Sequence, residues 1–348
     1  MKGAGGPKAA ESKAGAPSVS AAPVMARVIG KEQAEKVFND YAFARAFAEQ
    51  GADVARVSAV EAGPLLEQTK ARFERQKAKG WATYKGNTFE RSVFVIPTER
   101  EQPGYPRTFA VISERDSGLE VRARAVHHFA QAEAGGRWMA VAESWVNGAP
   151  PTEKGAGVTP RYKALKIEVR DKEIAAPQAE PGAGGGVLSV TAAEDRKVCG
   201  RYAQYLSFTA PRGERESEHF VPGPLTSGVV DEMNTDADQA GGRIRHVFGY
   251  EAVGVDLPVV KLVDGASLVT CTYVRTSHLK NKATTAWFTF KKNTPIDDML
   301  GGGGRHWADV KSRYAVTVVF EVPARGPADV VASNSLDPQL LSAQGTRG

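Results

Sequence analysis

Apolar residues from Ala34 to Ala46 recur mostly at three- and four-residue steps: Ala34, Val37, Phe38, Tyr41, Ala42 and Ala46. That spacing predicts a helix with one buried face. A second helix follows the tripeptide Gly63-Pro64-Leu65, with Leu65, Leu66, Thr69 and Phe73 on its stripe. About 160 residues later the same order returns. Val198, Cys199, Tyr202, Leu206 and Thr209 mark one stripe; Leu225, Val229, Val230 and Met233 mark another, after Gly223-Pro224-Leu225. Pro64 and Pro224 fall where the first turn of a helix tolerates a missing N–H. Lys36, Val37 and Tyr41 correspond to Lys197, Val198 and Tyr202 at nearly the offset of the tripeptides, which predicts a tandem duplication.

Each helical pair is followed by segments of alternating, β-branched and aromatic composition, the pattern of strands. In the first half these are RSVFVIP, RTFAVISE, LEVRARAVHHFAQAE and GRWMAVAESWV, the last two joined by an AEAGG turn. In the second they are RIRHVFGYEAVGV, PVVKLV, SLVTCTYVRTSH, TTAWFTFKK and RYAVTVVFEVP, with a hairpin at Asp264-Gly265. Helices first and antiparallel strands after is the α+β order. The economical solution is two tandem cystatin/NTF2-like domains, each a helical pair followed by a curved antiparallel sheet with a pocket at its open end.

The predicted organisation is a disordered tether over 1–27, a first domain over 28–148, a linker over 149–186 with room for one strand (YKALKIEVRD), a second domain over 187–335 and a flexible tail over 336–348. Among 348 residues, 42% are hydrophobic, so both halves have the material for a core. The net charge of +5 is spread among nearly as many acids as bases, which argues against nucleic-acid binding. No apolar run approaches the length of a membrane span, and the first residues lack the apolar core of a signal peptide.

Catalytic and metal signatures are missing: there is no GxSxG, HExxH, CxxC or phosphate-loop pattern, and neither a cofactor nor a metal is expected. His127 and His128 point to opposite faces of one strand. His127 goes inward with Ala125 and Phe129 as a candidate pocket acid/base, and His246 falls on the Phe248 and Tyr250 face of its own strand. The pocket residues expected with them are Tyr41, Phe129, Trp138, Tyr202 and Phe248. The two cysteines, Cys199 on a helix stripe and Cys271 on a strand face, form either one disulfide or two buried thiols. MLGGGGRHWADV reads as a flexible loop after a solvated acidic turn or helix cap at Asp297-Asp298.

GGGVLSVTAAEDRKVCGRYAQYL, FVPGPLTSGVVDEM and RYAVTVVFEVPARGPADVVAS resemble the C-terminal part of a group of uncharacterised lipoprotein-like and membrane-tethered proteins of high-GC Gram-positive bacteria. AVEAGPLLEQTKARFE and GRWMAVAESWV are similar to the N-terminal part of the same group. The resemblance implies a location outside the cytoplasmic membrane, through a leader or lipid anchor these residues do not include, with the cytoplasm as the alternative. The function expected is non-enzymatic binding or scaffolding at the cell envelope, with an unknown protein or a small apolar ligand as partner. The alternative is an NTF2-like pocket enzyme, of dehydratase or isomerase type, using His127 or His246.

Overall fold

The computed structural model describes residues 26–80, 88–116, 123–145, 178, 189–190, 193–282, 287–333 and 339–348. The YKALKIEVRD segment and residues 1–25 lie outside them. Arg27, assigned to the tether, pairs with Thr98 in an isolated bridge.

The first half consists of α1 (Lys31–Gly51), α2 (Val54–Ser58), α3 (Gly63–Lys79) and four strands, β1 (Thr88–Val95), β2 (Arg107–Asp116), β3 (Ala123–Gln131) and β4 (Trp138–Trp145). The strands form an antiparallel meander in the order β1-β2-β3-β4. Phe38 and Tyr41 of α1 and Leu65 of α3 pack on Phe109, Val111, Phe129 and Ala140 of the sheet. This is the helix stripe seeking the apolar face of the strands.

In the second half β5 (Ser189–Val190), α4 (Ala193–Tyr205), β6 (Thr209–Ala210) and α5 (Ser227–Gln239) precede β7 (Ile244–Val253), β8 (Val259–Lys261) and β9 (Ser267–Asn281). They are followed by α6 (Pro295–Met299), β10 (Trp307–Val322), β11 (Asp329–Ser333) and β12 (Gln339–Arg347). The sheet runs β11-β10-β9-β7-β6, with β12 on the other part of β10 and β8 on β9. Tyr202 of α4, Leu206 just after it and Val230 of α5 pack on Tyr273, Val318 and Phe320. The fold is therefore α+β with antiparallel sheets.

Several segments differ from the expectation. Among the described residues of TTAWFTFKK, 287–292, Phe288 alone pairs, in an isolated bridge with Trp307. The expected tail holds β12, which lies along the Trp307–Ala315 part of β10. Leu340 is buried there, and the Trp307 ring lies where a Cβ on Gly345 would stand. A pattern with one buried leucine carries no periodicity, so only the open edge of β10 reveals this strand. Asp297 is buried rather than solvated. Its carboxylate accepts the N–H groups of Gly304 (3.0 Å) and Asn293 (3.3 Å), clamping a loop whose four glycines, 301–304, all have positive φ.

The two sheets lie back to back. Val95, Ala110 and Val126 of the first pack against Val260, Leu268, Val319 and Val331 of the second, giving a helix–sheet–sheet–helix layering. His128 is on this second face. The sequence groups it with Arg122 and Arg124; the structure buries it between the sheets, 2.7 Å from the Thr270 hydroxyl. Lys79 of α3 also pairs with Asp298 at 2.7 Å.

Both halves repeat the same details. Setting β8 aside, β7-β9-β10-β11 matches β1-β2-β3-β4. The residue pair His128/Phe129 carries an irregularity against β4, and Val319/Phe320 carries one against β11. Ahead of each Gly-Pro-Leu, one residue makes a parallel bridge: Glu61 to Ala140 of β4, and Phe220 to Ala328, the residue just before β11. Tyr41 packs on Phe129 and Tyr202 on Phe320, with ring centroids 5.4 and 5.0 Å apart. The tripeptides differ in detail: Gly63 opens α3, whereas Pro224 sits in a turn before α5. The Tyr202 hydroxyl donates to the Leu225 carbonyl at 2.7 Å, tying the second helix pair together.

Cys199 of α4 and Cys271 of β9 form a disulfide, with Cα atoms 5.7 Å apart and a sequence separation of 72. Cross-links of this span stabilise by about 4 kcal/mol in the chain-entropy account. Replacing both cysteines by alanine is expected to lower the urea-unfolding free energy by roughly 2–5 kcal/mol. An unchanged midpoint would show that the packing of α4 alone carries the second core.

Candidate functional site

On α1 the positions one and two turns after Tyr41 are Arg45 and Glu49, so the stripe that begins with Phe38 continues in charged residues. Arg45 lies at the centre of a buried network. Its Nε donates to Glu49 Oε1 at 2.7 Å and its Nη1 to the Tyr41 hydroxyl at 3.0 Å. The same Nη1 contacts Glu61 Oε1 and lies 3.4 Å from Glu143 Oε2. Glu143 in turn places Oε1 3.6 Å from His127 Nε2, the two residues being paired across β3 and β4. Arg72 of α3 closes the network by holding both oxygens of Glu49. Glu61 and His127 are fully buried, while the Arg45 side chain keeps 18% of its surface in solvent.

The environments push the carboxyls apart. Burial raises Glu61, and the attraction of Arg45 with a hydrogen bond to Thr69 does not offset it. For Glu143 burial acts in the same direction, but Arg45 and then His127 outweigh it and hold the group at about 2. Glu49 is lowered: burial opposes, and the Arg72 hydrogen bond and the Arg45 charge prevail. Burial, then Glu143, moves the Tyr41 hydroxyl well above its ordinary value. One carboxyl that favours its proton and one that rejects it share a single guanidinium, the separation seen between acid and base partners.

Rings enclose the imidazole. Phe38, Tyr41 and Phe89 lie 5.3, 5.9 and 4.8 Å from His127 by ring centroid. His246 is placed differently. It is half-buried on β7, hydrogen-bonds Ser277 at 2.6 Å, and lies 3.9 Å from the Phe248 ring. Burial, then Arg275 and His278, lowers it to about 4. By strand order β7 matches β1, whereas His127 is on β3, so the two histidines are not counterparts. The expected pocket residues Tyr41, Phe129, Tyr202 and Phe248 are buried core residues, and Trp138 packs against the cluster that holds Tyr41 and Phe129.

A cavity of about 210 Å³ lies elsewhere, where the halves meet. The first half supplies Ala62, Gly63 and Pro64 at the start of α3, Pro106, Ala130 and Ala132, and Arg137, Met139, Val141 and Ala142. Gly254, Val255, Leu257 and Thr272 close it from the second. Arg137 is the sole charged group in that lining. Neither this cavity nor the Arg45 network was legible in the sequence. A signal for the network existed in Arg45 and Glu49, which continue the Tyr41 stripe at four-residue steps, but that spacing equally describes a solvated ion pair. Among the described residues no group of three or more His, Cys, Asp or Glu side chains is arranged to hold a metal ion, and no helix is long and apolar enough to cross a membrane.

Residues 25–155, the first half, match a family model described as a domain of unknown function (DUF8094). No curated protein and no solved structure matches the chain.

Proposed function

We propose that the chain is a non-enzymatic binding protein of the cell envelope, made of two tandem cystatin/NTF2-like units, which holds a small apolar group in the cavity between them. The observation that carries this reading is the cavity itself: both halves wall it, and its lining is almost wholly apolar. An engineered apolar hole of about 150 Å³ accepts benzene, so about 210 Å³ suits a fused ring or a short branched chain. The repeated strand order, with matching parallel bridges and irregularities, supports the tandem reading. The Cys199–Cys271 disulfide supports a compartment that preserves such bonds.

The test uses 5-fluoroindole, a neutral ring, followed by 19F NMR. Saturable binding to the wild-type chain is expected, and Ala132→Trp, which fills the cavity from its rim, abolishes it. Binding that does not saturate, or that survives the substitution, would sink the proposal.

The enzyme alternative gains one observation, Glu143 within 3.6 Å of the His127 imidazole. Against it stands the aromatic enclosure, since a general base must reach its proton. The network is better explained by its connection to the cavity wall.

A further inference from the structure

The repeated architecture allows each member of the network to be compared with its counterpart. Arg45 lies four residues after Tyr41, and Leu206 lies four after Tyr202. Glu61 bridges to Ala140 of β4 where Phe220 bridges to Ala328, just before β11. His127 pairs with Glu143 where Val318 pairs with Ser333, each one step before the irregularity. The second half thus builds the same layer from Leu206, Phe220, Val318 and Ser333, and all four are buried. Folding alone does not call for charges at these places. An ionic cluster in a core is weak evidence for stability, because desolvation consumes much of the attraction.

The network also touches the proposed ligand site. Glu61 is held between Val60 and Ala62, whose backbone groups bond Ala140 of β4 at 2.8 and 2.9 Å. Ala62, Gly63 and Pro64 follow directly and form one wall of the cavity. Arg45 grips the carboxyl of Glu61 from behind that wall. Resting on the ligand-binding reading above, we infer that the cluster is a proton-linked control site: ionised Glu61, held by Arg45, keeps the Val60–Gly63 segment in the form that accepts a ligand.

The groups facing Glu61 set the direction. From α1 come Tyr41, Arg45 and Glu49; from α3, Thr69 and Arg72; from β4, Glu143, with His127 of β3 behind it. A proton on Glu61 removes one charge of its pair, and Arg45 then retains Glu49 and Glu143 as partners. Burial raises Glu61, so it takes up this proton at a higher pH than an exposed carboxyl does. Glu143, held at about 2, stays ionised throughout that interval. Ligand affinity accordingly falls on acidification.

The dissociation constant of 5-fluoroindole, measured by 19F NMR between pH 8 and pH 5, tests this. For the wild-type chain a weakening of about fivefold or more is expected, the lower end of ordinary coupling between sites. In Glu61→Gln the affinity is expected to be weak and flat across the range. The fourfold exchange Arg45→Leu, Glu61→Phe, His127→Val and Glu143→Ser supplies a second variant without the titrating group, expected to be equally flat. Wild-type affinity independent of pH, with Ala132→Trp still blocking binding, overturns the control site and leaves the ligand reading standing. A wild-type slope retained in Glu61→Gln or in the fourfold variant does the same. Absence of saturable binding at every pH overturns both.

Discussion

Arg45→Met is expected to destabilise the protein by about 3–5 kcal/mol, while the fourfold exchange to Leu, Phe, Val and Ser at 45, 61, 127 and 143 costs less than that single change. The asymmetry follows from what each leaves behind. Methionine at 45 strands Glu61 in a fully buried position and removes the main cation beside Glu143; unpaired buried charges carry a penalty of this size. The fourfold exchange removes both carboxylates with the guanidinium and installs the residues with which the second half already fills the same layer. Glu49 keeps its contacts to Arg72. Urea unfolding at neutral pH, compared at constant m-value, measures both variants. A fourfold variant less stable than Arg45→Met would mean that the halves are not interchangeable at these positions.

Acidification from pH 6.5 toward pH 3 is expected to remove on the order of 4–5 kcal/mol of stability through His128 alone. This imidazole is sealed between the sheets, and burial, assisted by the neighbouring His127, lowers it to about 3. The sign follows from proton uptake. Below pH 6.5 the unfolded chain binds a proton that the folded chain refuses, so stability falls with pH until the folded-state value is reached. Glu61 works in the opposite direction: its raised value favours the folded, protonated form as pH falls toward 4.5. Glu49 and Glu143 are lowered, so their contribution is lost below 4.5. The difference between wild type and His128→Leu isolates the histidine. Equal slopes for the two proteins between pH 6.5 and 4.5 would show that the imidazole does not remain neutral in the interface.

The correspondence between Tyr41 and Tyr202 was readable because both rings perform the same packing task, and a Gly-Pro-Leu tripeptide lies at the start of α3 and just before α5. His127 was placed on its inner face by alternation alone. Its neighbour was harder. Period-two patterning says that His128 points the other way, but not that a second sheet awaits it there. Glu61 and Glu143 were invisible as a pair because 82 positions of chain separate them and neither belongs to a local motif. β12 was missed for a related reason. Its pairing partner supplies the order that its own sequence lacks.

Local spacing was enough to determine the long helices and most of the long strands of this protein: helical stripes of Phe38 and Tyr202, alternating strands, and the glycine-bearing turns that reverse them. These depend on neighbours within a few residues, where backbone sterics and apolar periodicity act directly. The back-to-back meeting of the sheets, the cavity between them and the charges gathered on Arg45 were decided only in three dimensions. Each depends on groups far apart in sequence being desolvated together, and no local pattern records which distant partner will share a buried charge.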